Sequence, residues 1–258
     1  MTYTTKEILC PCDGHTVWGM AYIPETGEKK VPLVIYSHGL GSDHTTGVPY
    51  AERIAQAGYA AYVFDFYGGT VGDANRSGGR MTQMSVLTQK RDLEAVLHAA
   101  KNWDFIDPER IALMGASQGG AVSTLAACDH QDAIAGLVLL FPAYSAPDDA
   151  HAMCPTLESV PETYPIFGGE MTLGKKYAED IWDLDFFSLI KGYKGKVHLQ
   201  HGDMDPIVNV SYAIRAKETF PDCELHIYKG AGHGFRETEY FDGSVQDVLE
   251  YLSGVFAG

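Results

Sequence analysis

At 258 residues with 45% apolar side chains, the chain can bury one sizeable core, and it holds no run near the ~18 apolar residues of a membrane span. Thirty-four acidic against nineteen basic residues give a formal charge of −15, which repels phosphate backbones and anionic bilayers, so neither nucleic acid nor a membrane is an expected partner. Five scattered cysteines make no disulfide framework, and Cys10-Pro11-Cys12 has the wrong spacing for a C-x-x-C redox or metal pair. Residues 1–7 carry neither a basic head nor an apolar h-region, so a cytoplasmic location is the expectation.

Alternation over 4–10 and 16–24 predicts two antiparallel edge strands joined by a turn at Cys12-Asp13-Gly14. The continuous apolar run 31–37 reads as a central parallel strand, covered on both faces, that stops at His38-Gly39-Leu40-Gly41-Ser42. A helix is predicted over 49–57 with a stop at Gly58, then a buried strand over 60–64 running into Asp65-Phe66-Tyr67-Gly68. Residues 69–81 read as a Gly-rich surface loop; without G-x-G-x-x-G or a closing Lys-Ser/Thr it is no phosphate cradle. Helical spacing covers 85–103, and Asp107-Pro108-Glu109 turns the chain into an apolar strand at 110–114.

That strand meets the Ala-rich helix predicted over 118–128 with nothing between but Gly115-Ala116-Ser117-Gln118-Gly119. A direct strand-to-helix corner forces a tight, strained turn. The flanking glycines remove the Cβ atoms that would clash there, and the serine hydroxyl is left exposed at the carboxyl end of a strand. The competing reading is an ordinary Gly/Ser turn.

A further strand is predicted over 134–141. The stretch 142–194 then breaks the rhythm: prolines at 142, 147, 155, 161 and 165, helical character only over 173–189 and no predicted strand point to an inserted lid. The rhythm resumes with a strand at 196–200 ending in His201-Gly202-Asp203-Met204-Asp205, a helix over 210–219, a last strand over 224–228, Gly230-Ala231-Gly232-His233-Gly234, and a final helix over 241–256. Strands alternating with helices imply βαβ units, a mostly parallel sheet and helices on both faces. The core is thus expected to be split in two, residues 1–141 and residues 195–258, with a lid or cap at 142–194 between them.

A serine hydroxyl is a poor nucleophile at neutral pH and needs a base to take its proton; histidine suits that task, and a carboxylate must fix the ring's tautomer. In a parallel sheet all strand C-termini lie at one edge, and Ser117, Asp205 and His233 each follow a predicted strand, in the order Ser, acid, His expected of such an elbow. Asp203 competes with Asp205 for the acid role, with turn capping as its alternative. His38 and His201 are expected to brace loops, and His44, in the loop after Leu40, is expected in an ordinary role, with bordering the site as the alternative. With no H-E-x-x-H spacing, no metal or cofactor is expected.

On His38-Gly39-Leu40-Gly41, Gly115-Ala116-Ser117-Gln118-Gly119, His201-Gly202-Asp203-Met204-Asp205 and Gly232-His233, the chain resembles the α/β-hydrolase family over essentially its whole length. The resemblance implies an α/β fold with a central sheet of about eight strands. It also implies Ser117 as nucleophile, Asp205 as acid, His233 as base, and the backbone N–H groups of Leu40 and Gln118 as the oxyanion hole. Within the family the chain is most similar to bacterial feruloyl or cinnamoyl esterases. This likeness implies hydrolysis of a small or aromatic acyl ester through an acyl-enzyme, with Asp149 (or its neighbour Asp148) and Tyr177 at the phenolic end of the acyl group. After Asp65-Phe66-Tyr67-Gly68, however, Gly69-Thr70-Val71-Gly72-Asp73 replaces a His-Gly-x-Ser common among those relatives. General short-chain esterases, lipases, small serine peptidases and non-catalytic binding proteins of this fold are the alternatives. The expected partner is a small-molecule ester, with a homodimer left open.

Overall fold

The apolar runs of the sequence become the middle of one sheet. In the computed structural model, which describes residues 1–235 and 237–257, strands β1 (Tyr3–Cys12) and β2 (His15–Pro24) pair as an antiparallel hairpin. Next come β3 (Val31–Ser37), helix α1 (Val48–Gln56), β4 (Ala60–Phe64), α2 (Val86–Ala100), β5 (Ile106–Ala116), α3 (Gln118–Asp129) and β6 (Gly136–Leu140). The segment that follows holds α4 (Ala146–Met153), a two-stranded hairpin of β7 (Thr163–Ile166) and β8 (Met171–Gly174), α5 (Lys175–Ile181) and α6 (Phe186–Ile190). The chain closes with β9 (Val197–Gly202), α7 (Ser211–Thr219), β10 (Cys223–Tyr228) and α8 (Thr238–Phe256).

The main sheet has eight strands in the order β1-β2-β4-β3-β5-β6-β9-β10, antiparallel at β1/β2 and β2/β4 and parallel elsewhere. Every residue of β3, β4 and β6 is buried, which is why these strands read as unbroken apolar runs and not as alternating ones. Along β3, Leu33 and Ile35 point into one core with α2 and α3, while Val34 and Tyr36 point into the other with α1 and α8. Helices therefore cover both faces, as the strand–helix rhythm requires.

Residues 142–194 differ from expectation in two elements. Helix α4 begins with Pro147 at its first turn beside Asp148 and Asp149, a start signal that the count of prolines hides. The β7–β8 hairpin is built from strands of four residues each, too short for a period of two to stand out. Tyr144, Tyr164, Tyr177, Ile181, Phe186 and Ile190 from this segment are buried in the same core as α2 and α3.

Candidate active site

The turn between β5 and α3 is strained as its glycines suggest. Ser117 sits at φ 53°, ψ −119°, a left-handed conformation that costs a non-glycine residue about 1–3 kcal/mol. It persists because the packing around it leaves no alternative. A Cβ at Gly119 would lie 2.1 Å from the Ser37 carbonyl oxygen, and one at Gly115 would lie 2.2 Å from the Gly119 oxygen, so the start of α3 presses on the ends of β3 and β5. Ser117 N–H donates to the Leu140 carbonyl at 2.9 Å, and its own carbonyl accepts from Gly120, Ala121 and Ala143. The side chain stays partly exposed at the sheet edge.

The loop after β9 holds the carboxylate. Asp205 Oδ1 accepts the N–H groups of Ile207 (2.8 Å) and Val208 (3.0 Å), and Oδ2 lies 2.7 Å from His233 Nδ1 and 3.3 Å from His201 Nε2. Burial by itself raises the pKa of this carboxyl, but the hydrogen bonds from His201, His233 and the two backbone N–H groups outweigh it and hold the group well below the usual carboxylate range. Ionised Asp205 thus accepts the Nδ1–H of His233, which leaves Nε2 of a neutral ring as a bare acceptor. Asp203 instead accepts Gly230 N–H at 2.6 Å and caps the turn after β10. Between these two acids, only Asp205 bonds to the imidazole.

The loop after β3 runs beside the serine; a Cβ on Gly39 would meet Ser117 Cβ at 3.4 Å. Buried His38 fixes this loop, donating from Nδ1 to the Gly39 carbonyl (2.8 Å) and accepting Phe66 N–H at Nε2 (3.1 Å). Those bonds require a neutral ring, and burial lowers the His38 pKa accordingly. The backbone N–H groups of Leu40 and Gln118 have no acceptor among the described residues. Ser117, Leu40 and His233 line one cavity of about 770 Å³. Its wall is aromatic, with Tyr36, Tyr50, Phe141, Phe235 and Phe241, and it also includes the ion pair of Arg53 and Asp242 (3.1 Å). A hydroxyl, an oriented imidazole with a free nitrogen, and unpaired N–H groups around one cavity are the components that acyl transfer needs.

The sequence profile of the family "Serine aminopeptidase, S33" matches residues 28–168, more than half of the chain. The chain belongs to that family. Solved structures show the same α/β-hydrolase fold from end to end. Est1E from Butyrivibrio proteoclasticus with bound ferulic acid superposes with a TM-score of 0.87 at 24% identity, covering 97% of this chain and 100% of that one. DcsB in complex with a substrate analogue gives 0.80 at 18% identity, covering 97% and 99%. Among curated proteins, the quorum-quenching protein AidA of Acinetobacter baumannii is 29% identical over 55% of this chain and 46% of its own length. Human dipeptidyl peptidase 8 is 30% identical over 52% of this chain and 17% of its own. The chain therefore spans less than half the length of each of these two curated relatives.

Not all expected residues meet. Asp149 and Tyr177 do not line the Ser117 cavity: the Asp149 carboxylate accepts the Ser145 hydroxyl (2.9 Å), and the Tyr177 hydroxyl is turned to the Gln118 side chain. Asp148 accepts the Tyr212 hydroxyl at 2.6 Å. His44 binds Asp65 through Nδ1 at 2.8 Å and stays out of the cavity lining. The aromatic wall from α1 and α8 escapes sequence reasoning; the only signal for it is the placement of Tyr50 and Phe241 on two amphipathic helices.

Among the described residues, two groups of metal-capable side chains lie apart from this cavity, Cys12 with His15 and Asp92, and His198 with Glu224 and His226. In the first, Asp92 already accepts from His15 (2.7 Å) and from Tyr67 N–H (2.8 Å), and burial beside Asp92 pushes the Cys12 thiol up to about 12. In the second, Gln200 donates Nε2–H to the Ser244 carbonyl and to His198 Nε2, so the neutral ring keeps its proton on Nδ1, the nitrogen that faces Glu224.

Proposed function

We propose that the protein is a serine carboxylesterase in which Ser117 attacks the ester carbonyl, His233 Nε2 takes its proton and later returns one to the leaving alcohol, and Asp205 holds the ring and stabilises the imidazolium. The N–H groups of Leu40 and Gln118 bind the oxyanion, and water then hydrolyses the acyl-enzyme by the same route in reverse. The observation that carries this reading is the 2.7 Å bond from Asp205 to His233 Nδ1 at a cavity that also contains Ser117. Each oxyanion donor is worth about 10²–10³ in kcat, because charge builds on the carbonyl oxygen only in the transition state.

The acyl group favoured is small or aromatic, with hydroxycinnamates such as ferulate as the leading class. The Phe and Tyr rings around the cavity suit a flat ring, and Est1E, with its bound ferulic acid, shares the fold. Residues 142–194 act as a cap, and the turn of the β7–β8 hairpin contributes Phe167, Glu170 and Met171 to the cavity. A second reading, peptide hydrolysis, fits the family's description and gains from Glu170, a carboxylate on the cavity wall that can pair with a free peptide amine. A panel of acetyl, butyryl, long-chain and feruloyl esters beside aminoacyl arylamides separates these readings. Preference for short or feruloyl esters supports the proposal; preference for long acyl chains or for the arylamides overturns it.

A further inference from the structure

Tyr177 stands on α5, and its hydroxyl donates to Gln118 Oε1 at 2.6 Å. The other end of that amide, Nε2, donates to Gln89 Oε1 on α2 at 2.7 Å. All three side chains are out of water, with Tyr177 7%, Gln118 2% and Gln89 0% exposed, so each bond lies where a lost partner leaves a buried polar atom unpaired. Burial also raises the Tyr177 phenol pKa, which keeps it a donor. A second tie joins the same helices: the hydroxyl of Ser85, the N-cap of α2, donates to Asp180 on α5, whose carboxylate is held within α5 by Lys176 at 2.8 Å. Helices α5 and α2 and the first residue of α3 thus form one hydrogen-bonded unit.

Gln118 is also the residue whose backbone N–H follows the strained Ser117 turn. The direction of that N–H is set by the Ser117 ψ of −119° and by the Gln118 backbone, a conformation that relaxes unless something opposes it. We propose that Tyr177 and Gln89 are positioning residues that clamp the Gln118 side chain from two sides and so keep its backbone N–H aimed at the oxyanion. Through Tyr177 the segment 142–194 then acts on the rate of chemistry, a different role from the recognition of the acyl group that the resemblance implies for this residue. This inference rests on the serine-esterase reading.

Steady-state kinetics of Tyr177→Phe and Gln89→Met on acetyl, butyryl and feruloyl aryl esters test it. Both variants retain the Gln118 N–H but aim it less well, so kcat falls about tenfold, short of the 10²–10³ for losing a donor outright, and by the same factor for all three acyl groups. KM stays within about twofold, because the ground-state carbonyl gains little from the hole. The double variant loses less than the product of the two single losses, since both act through one amide. Unchanged kcat overturns the clamp, and so does an effect confined to KM for the feruloyl ester, the signature of a direct phenol contact. If Tyr177→Phe fails to fold, Gln89→Met, on a different helix, decides alone. Ser117→Ala is the control: full activity there removes the esterase reading itself, whereas a dead Ser117→Ala beside an unaffected Tyr177→Phe removes the clamp alone.

Discussion

The loops at the carboxyl edge of the sheet and the segment 142–194 are stabilised by different means. At the sheet edge, short polar side chains are held several times over: Asp205 accepts from two backbone N–H groups and two imidazoles, and His38 bonds at both nitrogens. In 142–194, buried rings dominate, with Tyr144 packed on Phe186 at 4.9 Å and on Phe187 at 5.9 Å. Polar redundancy fixes atoms to fractions of an ångström, as proton transfer demands, while apolar packing fixes a surface and tolerates repacking. Substitutions at the edge therefore strike turnover, and substitutions among the packed rings of 142–194 strike stability, with Tyr177, which bonds to Gln118 at the edge, standing apart.

The largest effect is expected of Ser117→Ala, whose turnover falls at least about 10⁴-fold with the fold retained, as circular dichroism and ester hydrolysis together check. Asp205→Asn comes next, at about 10⁴ in kcat, because an amide favours the wrong imidazole tautomer; Asp203→Asn, which keeps an oxygen for Gly230 N–H, stays within about twofold. Asp205 also shapes stability in acid. Asp205 has a folded-state pKa below its unfolded one, so its stabilisation is complete above the ordinary carboxylate pKa of ~3.9 and is lost as pH falls below it towards the depressed value. Urea titrations from pH 6 down to pH 3 should show the stability gap between wild type and Asp205→Asn narrowing on the acid side.

In 142–194, Phe186→Ala should cost about 3–5 kcal/mol in denaturant unfolding, the usual cost of deleting a buried ring, while kcat of the folded fraction holds. The smallest effect belongs to Asp149→Ala, exposed and bonded only to Ser145 among the described residues: within about 0.5 kcal/mol and within about twofold for every ester. A large loss on feruloyl esters alone would return Asp149 to substrate binding and undo the contrast between the two regions.

The same contrast explains what the sequence made legible. The central strands 31–37 and 60–64 agree with β3 and β4 residue for residue, because burial on both faces writes an unbroken apolar run. The elbow was legible because a tight corner needs glycine at fixed offsets from Ser117. Asp203 and Asp205 stand two residues apart in one loop, where no local periodicity separates them; the choice of Asp205 as the acid comes from the spacing of the resemblance, and in the structure Asp205 bonds to the His233 ring while Asp203 bonds to Gly230 N–H. Tyr50 and Phe241 pack at 4.9 Å from opposite ends of the chain, a contact that no local pattern records. The direction of the Tyr177 hydroxyl, towards Gln118 and not the cavity, likewise depends on how α5 meets α2.

The most direct test of the central claim is mass spectrometry of the protein after reaction with a serine-directed phosphonate. The account predicts a single adduct on the peptide carrying Ser117, absent from Ser117→Ala and formed far more slowly in His233→Ala. An adduct on another residue, or undiminished labelling of Ser117→Ala, would contradict it.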